Sequence, residues 1–308
     1  MRLLRAKEHR PRNDGSYIFN YRNEVFMSHT TFPNSLITPQ FLAENLSAEN
    51  LIILDASMKP VTNIGVSEPT APTYIPNSLR FDYDNDIREH NTSLPHMMPT
   101  PEFFTEEMQK MGINKDSAIV VYDNVGVYAS PRAWWMFRAM GHDNVAVLDG
   151  GLPAWIAAGY ETTATLATPK TRGDFASHPR PELIVDSQTV THALSDSAFS
   201  VMDARSAGRF KGQEPEPRAG LRGGHMPGAV NLPFADVQTN GVMKSPALLR
   251  EMFAQYQNKK LIFSCGTGVT ACILALAAEQ AGHKHLAVYD GSWTEWGADD
   301  SGLPVVKE

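Results

Sequence analysis

The 308-residue sequence has only two cysteines, Cys265 and Cys272. Two thiols cannot build a disulfide framework, and so sparing a use of cysteine suits a reducing compartment, so a cytoplasmic location is expected. No apolar run approaches the roughly 18 to 20 residues of a membrane-crossing helix, so no span is expected. An excess of positive charge is missing as well. Against 34 Asp and Glu stand 27 Lys and Arg, a net charge of −7, which is not the electrostatic footprint of a nucleic-acid binder. Partners should be small molecules or other proteins. The first 26 residues lack the apolar core of a signal peptide, and Glu8, Asp14 and Glu24 argue against a transit peptide. Met27 offers an alternative start, and residues 1–30 are read as a flexible extension.

What is present is a duplication. The stretch "MGHDNVAVLDGGLPAW" (140–155) aligns with "AGHKHLAVYDGSWTEW" (281–296) at a constant offset, with Gly, His, Ala, Val, Asp, Gly and Trp coinciding. Upstream, "AIVVYD" precedes "SPRAWWMFRAM" as "LIFSC" precedes "VTACILALAAEQA". Earlier still, "LIILDAS" pairs with "SVMDARS" and "YIPNSLRFD" with "HMPGAVNLPF". Strands alternating with helices in each copy predict two α/β domains with mostly parallel sheets. The length is comfortable for two cores. The Thr- and Pro-rich stretch between the copies reads as a linker over 161–185. This gives a first domain at 31–160 and a second at 186–308.

The copies differ where chemistry is expected. "LIFSCGTGVTACILALAAEQAG" (261–282) reads as a strand, a tight glycine loop and a helix, with Cys265 at the strand's end. Loops of this kind gather backbone N–H groups in front of a helix N-terminus, an environment that favours a thiolate. Gly266 and Gly268 would let the backbone curl around the sulfur. An unremarkable buried cysteine fits the residues too, and Cys272, inside "ACILALAA", is read as a small buried hydrophobe. The first copy has Asp123 and a longer loop in place of Cys265, so one copy does chemistry and the other supports it. Cysteine phosphatases share this fold type but place an arginine about six residues beyond the cysteine to hold phosphate. Position 271 is alanine.

Taken in order, "LPHMMP", "SPRAWWMFRAMGH", "LDGGLPAW", "GRFKGQEPEPRAGLRGGHMPGAVNLPF", "CGTGVTAC" and "YDGSWTEWGA" resemble the tandem rhodanese family of sulfurtransferases, and within it the members acting on 3-mercaptopyruvate. The resemblance covers nearly the whole chain after residue 30. It implies two rhodanese-like domains, each a mostly parallel sheet flanked by helices, with the cysteine loop in the second and a substrate cleft between them. It further implies that Cys265 carries sulfur as a persulfide from 3-mercaptopyruvate to a thiol or cyanide, releasing pyruvate without a metal or organic cofactor. A thioredoxin-like protein is among the thiol acceptors to consider. Gly266, Thr267, Gly268, Val269 and Thr270 would form the loop around the sulfur, and Arg209 and Arg218 would bind the donor's carboxylate. Thr267, His96 and Asp84 would serve as a proton relay, with Thr267 standing where many members have serine.

From the residues alone, Arg209 and Arg218 are equally a surface pair balancing Glu214 and Glu216, and His96 a packed loop histidine. Arg205 is expected to brace a loop through Asp203, and His225 to shape a turn. Two other readings compete: transfer from thiosulfate to cyanide, which the neutral Gly266 and Thr267 disfavour, and a persulfide carrier or redox sensor without turnover, which would not need paired arginines.

Overall fold

The computed structural model describes residues 28–60 and 71–308. The alternative start at Met27 and most of the expected extension fall outside them. The first sheet contains β1 (Leu36–Ile37), β2 (Leu51–Asp55), β3 (Leu79–Arg80), β4 (Ala118–Tyr122) and β5 (Val145–Leu148), in the order β1-β5-β4-β2-β3. The second contains β6 (Ile184–Val185), β7 (Phe199–Asp203), β8 (Val230–Asn231), β11 (Lys260–Ser264) and β12 (Leu286–Tyr289), in the order β6-β12-β11-β7-β8. Every ladder in both sheets is parallel, and the two orders are the same once matched copy to copy. The duplication in sequence is therefore a duplication of topology. Between β8 and β11 the second copy adds an antiparallel hairpin of β9 (Gln238–Thr239) and β10 (Val242–Met243).

The central strands β4 and β5 are buried along their whole length, as apolar strands must be when helices cover both faces of a parallel sheet. The first copy supplies α1 (Pro39–Asn45), α2 (Pro101–Lys110), α3 (Ser130–Ala139) and α4 (Gly151–Ala157). The second supplies α5 (Ser187–Ala193), α6 (Ala207–Lys211), α7 (Pro246–Phe253), α8 (Ala271–Gln280) and α9 (Ser292–Trp296). Thr38, Thr100, Asp186, Ser206 and Ser245 cap the helices that follow them, each accepting from a backbone N–H of the first turn. Helices α3 and α8, which start beyond the two equivalent loops, have no such cap. Both are buried nearly all round because they pack on each other as well as on their own sheets, joining one core across the two domains. No helix among the described residues is long and apolar enough to cross a membrane.

The expected linker has no helix or strand until a single 3-10 turn at Pro181–Leu183, yet it is packed along the first domain. Gly173 N–H donates to the Gln109 carbonyl at 2.8 Å, and the buried Phe175 ring meets Phe104 and Phe137. The second sheet takes in Ile184 and Val185, two residues ahead of the expected boundary at 186. The periodicity of a two-residue edge strand is too short to read from sequence.

The aspartate shared by "VLDGG" and "VYDGS" clasps the domains in both copies. Asp149 Oδ1 accepts Met243 N–H from the second domain's hairpin at 2.9 Å, and Asp290 Oδ2 accepts Met98 N–H from the first domain at 2.7 Å.

Candidate active site

Strand register fixes which residues correspond. Asp55 pairs with Tyr122 and Asp203 with Ser264, so Asp123 and Cys265 are the first residues beyond equivalent strands. In the first copy the Asp123 carboxylate fills its own loop. Its Oδ2 accepts N–H groups of Tyr128, Ala129 and Ser130 at 2.9 Å each and the Ser130 hydroxyl at 2.7 Å. Burial raises its pKa against the pull of those donors. The loop at this sheet end thus gathers donors around a carboxyl group.

In the second copy the carbonyls of Cys265 and Gly266 are taken by Trp293 N–H (3.0 Å) and Thr294 N–H (2.9 Å), at the start of α9. Cys265 N–H donates to the Ser292 hydroxyl at 3.2 Å. The N–H groups of residues 266–270 have no hydrogen-bond acceptor among the described residues, so they stay available beside the buried Cys265 thiol. Gly268 adopts φ +76°, and a Cβ there would lie 3.0 Å from the Asp290 carbonyl oxygen, so glycine is required. Gly266 is constrained differently: its backbone is not left-handed, and a Cβ would crowd Arg209 Nη2 at 3.3 Å. Cys272 is buried with its thiol donating to the Gly268 carbonyl at 3.2 Å, and burial pushes its pKa up to about 12.

A cleft of about 560 Å³ opens over the loop. Its wall brings together Cys265, Gly266, Thr267, Val269, Thr270, Arg209, Arg218 and His96. Gly268 lies behind the wall, and Asp84 reaches the cleft only through His96. The structure adds an apolar side made by Met58 and Tyr128 from the first domain, which no motif or period in the sequence singles out, and by Phe234, the last residue of "HMPGAVNLPF", from the second. The Tyr128 and Phe234 rings meet edge to face at 5.8 Å.

The two arginines differ in support. Arg209 Nη2 lies 2.5 Å from Glu216 Oε2, while Glu216 Oε1 accepts from Arg205 Nη1 at 2.8 Å. Glu216 is buried and bridges both guanidinium groups. Arg205 also binds Asp203, the Gly224 carbonyl and the face of Trp293, 4.0 Å from the ring centre. Arg218 makes no hydrogen bond or ion pair among the described residues and is half-buried at the cleft. Glu214 bonds Ser206 at 2.7 Å and is not paired with either arginine of the expected clamp. His225 stacks on Phe210 and its Nδ1 bonds the Phe210 carbonyl at 2.8 Å.

His96 Nε2 lies 2.7 Å from Asp84 Oδ1. A carboxylate only accepts, so Nε2 carries the proton and Nδ1 is left with its lone pair. Nδ1 is buried without a partner among the described residues. Burial lowers the His96 pKa, against the opposing pull of Asp84, so the ring is neutral at pH 7. A neutral ring of this tautomer takes a proton before it can give one.

A cysteine at the mouth of a parallel α/β sheet, doubled with a second domain lacking it, defines a class that comparison with known proteins identifies. Residues 38–158 and 187–299 each match the Rhodanese-like domain, and the chain belongs to that family. It is 37% identical to human 3-mercaptopyruvate sulfurtransferase over 273 residues, covering 85% of this chain and 91% of that one. The Escherichia coli K12 enzyme of the same name is 35% identical over 284 residues, covering 91% and 99%. Chicken thiosulfate sulfurtransferase is also 35% identical, over 272 residues, covering 85% and 93%. Among solved structures, the 3-mercaptopyruvate sulfurtransferase SseA from E. coli superposes with a TM-score of 0.74 at 31% identity, covering 84% of this chain and 99% of that one.

Proposed function

We propose that the protein is a sulfurtransferase that takes sulfane sulfur from 3-mercaptopyruvate onto Cys265 and passes it to a thiol or cyanide. The observation that carries this reading is the neutral Cys265 loop, whose N–H groups at 266–270 have no acceptor among the described residues, set in one cleft with Arg209 and Arg218. A dianionic donor such as thiosulfate would call for positive charge at Gly266 and Thr267, next to the sulfur. A keto acid keeps its charge at the far end, where guanidinium forks suit a carboxylate. Overall identity does not separate the two donors, since relatives of both names are about equally similar; the neutral loop is what supports the keto acid.

The Cys265 thiolate attacks the donor's sulfur, the S–S bond forms, and the C–S bond breaks with its electron pair leaving as pyruvate enolate. His96 Nδ1 takes the proton of the donor's S–H and returns it to the enolate carbon. Asp84 fixes the tautomer that makes this possible, and Thr267 offers a hydroxyl for the relay. The N–H groups of 266–270 hold the outer sulfur of the persulfide. The acceptor's thiolate then attacks that sulfur and regenerates the thiolate of Cys265. A thioredoxin-like protein is one acceptor to test. The first domain, residues 31–160, supplies His96 and Asp84 but no nucleophile; the packed strap to residue 183 links it to the catalytic domain.

Intact mass after addition of 3-mercaptopyruvate tests this reading: a gain of about 32 Da, one sulfur, is expected in the native chain and not in Cys265→Ser. An unchanged mass in the native chain together with no pyruvate release would refute it.

A further inference from the structure

The cation beneath the Cys265 loop comes from the other domain. Arg132, in α3, has a fully buried side chain whose Nη2 donates to the His96 carbonyl at 2.6 Å and to Asp290 Oδ1 at 2.7 Å. Asp290 Oδ2 takes Met98 N–H, so one ion pair ties residues 96–98 of the first domain to the end of β12. The same guanidinium reaches the loop itself. A Cβ on Gly268 would lie 3.4 Å from Arg132 Nη1, and Cys272, bonded to the Gly268 carbonyl, lies against Arg132 as well.

Packing does not require an arginine here. Counting back from the shared Gly141-His142 and Gly282-His283, the matching residue of α8 is Ile273, also fully buried. Arg132 leaves Nε and Nη1 without partners among the described residues, a costly way to fill a core. It also holds the carbonyl of a residue under backbone strain: His96 sits at φ +60°, a region that residues other than glycine seldom adopt and that clusters at functional sites.

We propose that Arg132, clamped by Asp290, is a positioning residue for sulfur transfer, setting His96 of the first domain against the Cys265 loop of the second. This rests on the roles proposed above for Cys265 and His96. Lysine in its place would keep the charge, but its ammonium has no second arm: it could not hold the His96 carbonyl and Asp290, as Nη2 does, and also fill the space of Nη1 beside Gly268. The consequence falls on the rate of the chemical step, while donor affinity stays with Arg209 and Arg218.

The test is a double-mutant cycle on single-turnover pyruvate release, with circular dichroism as the folding control. Arg132→Lys should slow release roughly ten- to a hundred-fold in the otherwise native chain, the usual scale for misplacing a catalytic group, with KM within about two-fold. In a His96→Asn background the same change should cost less than about three-fold, because the group it positions is gone. Asp290→Asn should repeat the pattern with Arg132 in place, and serves if Arg132→Lys does not fold. Equal losses in both backgrounds, or no loss, would overturn the proposal. Should the native chain release no pyruvate, the donor reading fails and alkylation of Cys265 by iodoacetamide, which needs no donor, decides the matter. Both variants should then change the rate at fixed pH by more than about three-fold, and folded variants that alkylate at the native rate would overturn it.

Discussion

Arg205 and Arg209 lie four residues apart, touch the same carboxylate and line the same cleft, yet their removal should have opposite signatures. Arg205 is fully buried and holds two buried carboxylates, Asp203 and Glu216, at 2.6 and 2.8 Å. Arg205→Ala strips both of their shared cation, and breaking a buried pair from one side costs about 3 to 5 kcal/mol. Arg209→Ala removes only one of the two partners of Glu216, which keeps Arg205. Because Glu216 is not left as an unpaired buried charge, stability should fall clearly less than in Arg205→Ala. On the proposed reading Arg209→Ala also loses a charge-assisted hydrogen bond to the donor's carboxylate, on the order of 1.5 to 3 kcal/mol, or roughly ten- to a hundred-fold in kcat/KM. The assays are urea unfolding for both variants and pyruvate release over a range of 3-mercaptopyruvate concentrations for Arg209→Ala. Comparable unfolding midpoints for the two variants, or a native KM in Arg209→Ala, would refute the division into brace and clamp.

Further outcomes follow from the same geometry. Cys265→Ser should abolish transfer, whereas Cys272→Ser should keep most of it, since its buried thiol lies outside the cleft wall and a hydroxyl can still donate to the Gly268 carbonyl; equal losses in turnover assays would count against the nucleophile. Thiosulfate should be used far less well than 3-mercaptopyruvate, and equal kcat/KM values would overturn the argument from the neutral loop. Gly268→Ala should depress turnover and stability together through both strain and contact with the Asp290 carbonyl, which parallel activity and melting measurements would show. Burial lowers the pKa of His96, His142 and His283 below the ordinary 6.5. As pH falls through about 6.5 the unfolded chain binds protons that the folded chain refuses, so stability should drop between pH 7.5 and 5.5; an unfolding midpoint that rises instead would contradict this.

Much of this was legible because the gene carries its own alignment. The Gly-His and Asp-Gly positions located both copies, and the strand-to-helix step at Cys265 located the loop. Other features left no trace that a one-dimensional reading can use. "EPEPR" presents Glu214 and Glu216 as equivalent acids, yet Glu216 is buried between two guanidinium groups while Glu214 stays exposed against Ser206. Their difference is set by where the loop after α6 folds back. The apolar wall of Met58, Tyr128 and Phe234 joins residues 176 positions apart, and nothing local marks them as one surface. Arg132 stands in a quoted repeat motif, but its importance lies in what it meets across the interface.

The two loops also explain why the domains divided their labour. At the same strand end one copy places a carboxylate and the other a thiol, and the carboxylate reaches back to take three N–H groups and a hydroxyl of its own loop. A carboxyl group supplied from within occupies the donors of the first domain's cradle, which fits the proposed division of labour. Cys265 has a shorter reach and leaves the N–H groups of 266–270 without acceptors among the described residues, which weakens the loop locally but, on the proposed mechanism, keeps a place for a second sulfur. The first domain then contributes what its own loop does not need: His96 on a strained turn, and an arginine aimed out of α3 beneath its neighbour's loop. With the reciprocal aspartate clasps fixing the domains at both ends, a duplicated fold becomes a single site that neither copy holds alone.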